Sequence, residues 1–151
     1  MVIDQNSGGG LRIGTVPVAN RAVLAPLSGV TDVVFRRIVS RFGAGLVVSE
    51  MVASDELVRG SEEAVLRAEG EGISPHVVQL AGCDPAWMGE AARVAETAGA
   101  HVIDINMGCP AKRVTGGYAG SALMRDLDHA CRIIAATVTA ATVPVTVKMR
   151  L

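Results

Sequence analysis

Neither sign of charge is in excess: fourteen Lys and Arg stand against fifteen Asp and Glu, for a net charge of −1. That excludes an overall basic field drawing the chain to a nucleic-acid backbone, so any RNA contact must come from a local patch. Cysteine is scarce. Cys83, Cys109 and Cys131 form an odd set without C-x-x-C spacing, which argues against a disulfide framework and against a zinc or other metal site, and for a reducing cytoplasm. Long hydrophobic runs are missing as well. Mean hydropathy is +0.39, yet the longest charge-free stretch, Ile133 to Val147, holds four threonines and Pro144 and falls short of the roughly 20 residues of a spanning helix. No membrane partner is expected. Residues 1–10 carry Asp4 and no basic segment leading into an apolar one, so they are read as a flexible start rather than a secretory signal.

What is present is material for one domain, 11–151, in a chain of 151 residues that is 50% hydrophobic and 19% charged. Short apolar β-branched runs alternate with longer segments of helical period, the order of parallel βα units. Strands are predicted at Ala22–Ala25, Leu46–Ser49, His76–Leu80, His101–Asn106 and Val143–Met149. Their spacing lies near the roughly 31 residues per unit of an eight-unit barrel of about 250 residues. Only five units are accounted for, so the predicted fold is a TIM (β/α)8 barrel represented by its first five units.

Helix punctuation supports these units. Thr31 and Asp32 open the first helix, whose apolar stripe is Val34, Phe35, Ile38 and Phe42, and Gly43 ends it. Asp84, Pro85 and Gly99 mark the ends of another, and Asp126 or Asp128 opens the last. Ser54 to Arg67 reads as one or two short helices broken near Gly60. A doubly wound sheet fits the same order, but no glycine-rich fingerprint follows the first strand. Gly116-Gly117-Tyr118-Ala119-Gly120 follows no strand directly and is a weak phosphate loop.

Polar residues gather at the carboxyl ends of the strands, the edge that carries active sites in parallel α/β folds. Pro26 and Ser28 follow the first strand, Ser49 and Glu50 end the second, and Gln79 lies in the third. By the two-residue period Asp104 and Asn106 share one face of the fourth, and Thr146, Lys148 and Arg150 one face of the fifth. Glu50 reads equally as a helix-capping carboxylate, Asp104 as a structural hydrogen-bonding residue and Arg150 as a salt-bridged exit residue. Lys148 reads as ligand-facing, because a strand covered on both faces can solvate an ammonium only at its mouth. Cys109, between Gly108 and Pro110, is a thiol placed by a turn, whereas Cys131 on an Ala-rich helix reads as a small hydrophobe. Arg36, Arg37 and Arg41 read as solvated surface charge or as phosphate contacts.

Taken together, the segments Ala25–Asp32, Ser49-Glu50-Met51, Val78–Gly82, Asp104–Lys112 and Val147–Arg150 make the chain resemble the bacterial tRNA-dihydrouridine synthases from about Leu11 onward. Asn106-Met107-Gly108-Cys109-Pro110 is the most specific segment. The resemblance implies a flavin-dependent TIM barrel that reduces tRNA uridines, with electrons passing from NADPH through FMN. It implies that Pro26, Leu27 and Ser28 lie against the flavin, that Gln79 hydrogen-bonds its ring edge and that Lys148 sits by its N1/O2 side. Asn106 would orient the uracil and Cys109 would be the general acid, with Lys112 and Arg113 as candidate tRNA phosphate contacts. Leu27 departs from the family, where Met is common. Members continue through further barrel strands and a helical RNA-binding domain, so a truncated member is expected.

The chemistry accounts for the residue types. Hydride addition at uracil C6 leaves negative charge that must be quenched by a proton at C5, and a thiol, with an ordinary pKa of about 8.5, keeps its proton at neutral pH where a carboxylate does not. Two other readings stand beside this one: another FMN barrel of the dihydroorotate dehydrogenase kind, and a non-catalytic half-barrel that self-associates through unpaired edges.

Overall fold

The computed structural model describes residues 11–150; the expected flexible start at 1–10 lies outside the described residues. The chain opens with a two-stranded antiparallel hairpin, β1 (Arg12–Ile13) and β2 (Val16–Pro17). Then come β3 (Val23–Leu24), α1 (Val33–Arg41), β4 (Leu46–Ala53), α2 (Ser54–Val58), α3 (Glu62–Ala68) and β5 (His76–Ala81). The rest is α4 (Pro85–Thr97), β6 (Val102–Met107), α5 (Lys112–Thr115), a 3-10 helix (Gly120–Arg125), α6 (Leu127–Ala140) and β7 (Val145–Met149). Strands β3 to β7 form one parallel sheet in strict sequence order.

That order decides between the two candidate architectures. A doubly wound sheet reverses its strand order at a switch point, and this sheet has none. Right-handed crossovers in one direction put every helix on the same face, so the other face curls inward on itself. The result is a curled five-strand parallel half-barrel, consistent with a partial TIM barrel.

The two faces separate cleanly. Val78, Leu80, Ile103, Ile105 and Met107 point outward into a core shared with Met88, Ala91, Ala92 and Ala95 of α4 and with Ile133 of α6. On the inner face, Leu46, Val48, Val77 and Val102 form a second apolar cluster at the amino ends of the strands, closed by Ile13 and Val18 from the hairpin region. The hairpin escapes the sequence reading because each strand is only two residues long. Gly14, at φ +56°, makes its turn, and a side chain there would strike Pro144.

Most predicted helix ends are observed. Asp32 caps α1 by accepting from the Phe35 amide, Asp84 caps α4 with Pro85 in first position, and Asp126 caps α6. Gly60, at φ +72°, separates α2 from α3.

Four expectations need correction. Strand β4 runs on to Ala53 instead of ending at Ser49, and its pairing with β5 shifts between Val48 and Met51. The apolar stripe of α1 faces outward, with Val34, Phe35, Ile38 and Phe42 at 57%, 37%, 45% and 89% exposure. Arg36 is no surface charge. It is fully buried, donating from Nε to the Thr31 carbonyl (3.0 Å) and from Nη2 to the Glu69 carbonyl (2.6 Å), and so satisfies a carbonyl left unpaired at the end of α3. Arg37 in turn pairs with Glu69 and Glu71. Finally, Cys131 is exposed, one position off the Ala130–Ile133–Thr137 face that packs inward.

Candidate active site

Past the apolar cluster, the inner face turns polar. Gln79, Asp104 and Thr146 stand in register on β5, β6 and β7, and one step further Asn106 faces Lys148. The strand period puts all of them on the interior side, because their outward neighbours Val78, Leu80, Ile103, Ile105, Val145 and Val147 pack against the helices.

These side chains form a continuous hydrogen-bonded line. Thr146 Oγ1 donates to Asp104 Oδ1 (2.6 Å), and Gln79 Nε2 donates to Asp104 Oδ2 (2.6 Å). Asn106 Nδ2 donates to Gln79 Oε1 (2.8 Å), and Asn106 Oδ1 accepts from the amides of Gly108 (3.2 Å) and Cys109 (3.0 Å). Burial pushes the Asp104 carboxyl above its ordinary value, against the hydrogen bonds from Gln79 and Thr146 and the charge of Lys148.

The loop carrying Cys109 is fixed from both sides. Its amide is held by Asn106, and its carbonyl accepts from the Ser121 amide (3.0 Å). Gly120, at φ +60°, allows that return; a Cβ there would lie 2.6 Å from the Cys109 carbonyl oxygen. The glycine-rich stretch therefore braces the cysteine loop, a role its position away from any strand end left open. Gly108 also packs closely, since a Cβ would meet Arg150 and the Met149 backbone at 3.2 Å.

The loop after β3 is anchored by Glu50, whose Oε1 accepts from the Gly29 amide (2.5 Å) and which is therefore no helix cap. The β4 bulge makes this possible. Ser49 and Glu50 fall where the pairing slips, and Ser49 Oγ takes the Gln79 amide (2.9 Å). Thr31 Oγ1 closes the same loop by accepting from the Leu27 amide (3.0 Å).

A cleft of about 220 Å³ opens where these pieces meet, lined by Pro26, Leu27, Ser28, Met51, Gln79, Asn106, Gly108, Cys109, Lys148 and Arg150. Seven of the nine site residues named from sequence thus come together. Lys112 and Arg113 do not: both are exposed on α5, and Arg113 lines a neighbouring cavity of about 720 Å³ with Asp84 and Trp87. Three linings, Met51, Gly108 and Arg150, were not assigned as site residues from sequence. Met51 pairs with Gln79 across β4 and β5, and Arg150 lines the cleft beside Lys148. Asp104 and Thr146 contribute from beneath the cleft without lining it. Among the described residues no cluster of metal-ligating side chains occurs, and no helix is long and apolar enough to cross a membrane.

Larger pockets lie elsewhere, but none of them holds Cys109, Asn106 or Lys148. The cleft at the carboxyl ends of the strands is where donors, an ammonium and a thiol converge.

The dihydrouridine synthase family profile matches residues 23–151. A probable tRNA-dihydrouridine synthase of Rhizobium leguminosarum bv. phaseoli is 63% identical over 134 residues, 89% of this chain and 42% of that protein. One of Rickettsia conorii is 51% identical over 143 residues, covering 93% and 43%. The tRNA-dihydrouridine synthase B of Xanthomonas campestris pv. campestris is 49% identical over 141 residues, covering 93% and 42%. The chain spans about two fifths of the length of these curated relatives. By the profile match over most of its length, the chain belongs to the dihydrouridine synthase family.

Proposed function

We propose that the full-length protein reduces the C5–C6 double bond of uridine in tRNA, using FMN and NADPH, with Cys109 as general acid. The observation that carries this reading is the convergence of Cys109, Asn106, Gln79 and Lys148 on one cleft at the carboxyl ends of the strands. The donor set suits a flavin. Gln79 keeps one Nε2 hydrogen with no partner among the described residues, and Lys148 is in none of the ion pairs found there. Both would meet the acceptor-rich N1/O2 edge of the ring, with Pro26, Leu27 and Ser28 along its flank.

When bound, the flavin supplies the hydride that goes to uracil C6. The remaining steps fall to this chain. Asn106 orients the uracil, the Cys109 Sγ gives a proton to C5, and the Lys148 ammonium balances negative charge on the cofactor's edge. Lys112 and Arg113, exposed on the helix that follows Cys109, would take tRNA phosphates at the mouth. All three cysteines are free thiols, which suits a cytoplasmic enzyme.

The test is direct. The full-length protein is expected to purify yellow and, given NADPH and an unmodified tRNA transcript, to add two hydrogens to uridine, read by nucleoside mass spectrometry. A colourless protein that leaves tRNA unchanged overturns the reading. Self-association of the 151-residue chain on its own is a second proposal, motivated by the exposed stripe of α1 and the outer edges of β3 and β7. A monomeric size-exclusion mass would refute it.

A further inference from the structure

A carboxamide looks much the same either way round, so its direction must be argued from its partners. Here both ends of the buried line give the same answer. At one end stand the Gly108 and Cys109 amides, which can only donate, so Asn106 must turn Oδ1 to them and Nδ2 to Gln79. At the other end stands the Asp104 carboxyl, whose two oxygens accept from Thr146 Oγ1 and Gln79 Nε2, so Gln79 turns Nε2 to it and Oε1 to Asn106. The line is consistent from carboxylate to thiol loop. Asp104, Gln79 and Asn106 are 6%, 0% and 8% exposed, so water cannot substitute for a misdirected partner at little cost.

We propose that Asp104 is a positioning residue: by accepting from Gln79 it sets the direction of both amides and so holds the Cys109 loop, leaving only N–H groups of the two amides for a ligand. The role belongs to the direction of the hydrogen bonds and not to the negative charge as such. One consequence concerns the ligand. The second Nε2 hydrogen of Gln79 is free among the described residues, and that of Asn106 faces only Met51 Sδ at 4.0 Å. With the Lys148 ammonium, these groups select for carbonyl oxygens and unprotonated ring nitrogens. This extension to ligand binding rests on the function proposed above; the hold on the Cys109 loop does not.

Exchanging carboxylate and amide tests the direction. In Gln79→Glu two carboxyl groups face each other, and at a pH where both are ionised neither can donate, so the line breaks. Adding Asp104→Asn restores a donor to the new carboxylate, which still accepts from Asn106, while Thr146 can still donate. Hydrogen exchange of the peptide carrying Gly108 and Cys109 is read in the full-length protein without cofactor, with a peptide from Ala91–Ala95 as reference. Loss of one net hydrogen bond predicts about a tenfold acceleration at Gly108 and Cys109 in Gln79→Glu and in Asp104→Leu. The double variant is expected within about twofold of wild type by the same measure. Unchanged exchange in the single variants overturns the proposal, as does a double variant no better protected than Gln79→Glu. If Asp104→Leu fails to fold, the exchange pair alone decides. No flavin or tRNA enters this measurement, so failure of the proposed activity would be seen separately, in the wild-type assay.

Discussion

The same strands build the two ends of the inner face on opposite principles. At the amino ends Leu46, Val77 and Val102 are 5%, 1% and 0% exposed beneath the hairpin, and their burial is stabilising whichever way each side chain turns. Two residues further along, Val77 gives way to Gln79 and Val102 to Asp104 on the same face. There each group is useful only if a donor meets an acceptor. The apolar end should therefore tolerate changes that conserve volume, while the polar end should respond to a single misplaced proton.

Removing the thiol is the harshest test of the polar end. Cys109→Ala in the full-length enzyme is expected to leave flavin content and its reduction by NADPH intact, and to slow reoxidation of reduced flavin by tRNA about 10²- to 10⁴-fold. Cys83→Ala and Cys131→Ala are the controls. Rapid-mixing spectroscopy separates the half-reactions, and normal reoxidation would remove Cys109 from the chemistry. At the apolar end, Leu46→Ala is expected to cost about 2–5 kcal/mol of stability, read by denaturant unfolding. Its flavin affinity should hold; affinity falling in step with stability would mean that the two ends act as one unit.

A buried titratable group at the amino end of β5, on the helix side of the sheet opposite Val77, sharpens the contrast. His76 is 3% exposed; Nε2 donates to the Ala68 carbonyl (2.9 Å), and Nδ1 has no partner among the described residues. Burial lowers its pKa to about 4, from an ordinary value of 6.5. The unfolded chain therefore binds the extra proton more readily between about pH 6.5 and pH 4, and stability falls as pH drops through that window. The shift corresponds to about 3 kcal/mol once the window is crossed. Asp104, raised by burial, acts in the opposite sense, so the comparison needs His76→Gln, whose denaturation curves should lose this component. An equal acid loss in that variant would place the sensitivity elsewhere.

The sequence was legible where a local rule coincides with the fold. The alternation Val102-Ile103-Asp104-Ile105-Asn106 places two polar groups inside, and Asp84, Pro85 and Gly99 end α4 as read. Seven cleft residues were recoverable because a specific motif surrounds each. What was illegible depends on partners distant in sequence. Periodicity identified the α1 stripe but could not say what lies opposite it, and nothing local marks Arg36 as the donor to α3 carbonyls 31 and 33 residues away. The Ser49–Glu50 bulge exists only relative to β5, and the direction of the Gln79 and Asn106 amides only relative to Asp104 and the Cys109 loop.

The smallest expected effect concerns Lys148. Its strand is half-buried, its neighbours Val145 and Val147 pack outward, and it stands beside Asn106 in register at the head of the cleft. Its charge acts on Asp104 from a distance, yet it forms none of the ion pairs among the described residues. An ammonium so placed contributes little to folding, and its worth lies in what enters the cleft. Lys148→Met keeps the length of the stem and removes the charge. Stability should therefore change little, while the Kd for FMN in the full-length protein should rise about tenfold, the loss of one charged hydrogen bond. Fluorescence titration of the apoprotein measures the Kd, and denaturant unfolding the stability. A variant that loses stability but retains flavin would make Lys148 a structural residue and move the polar end's ligand contact to Gln79 alone.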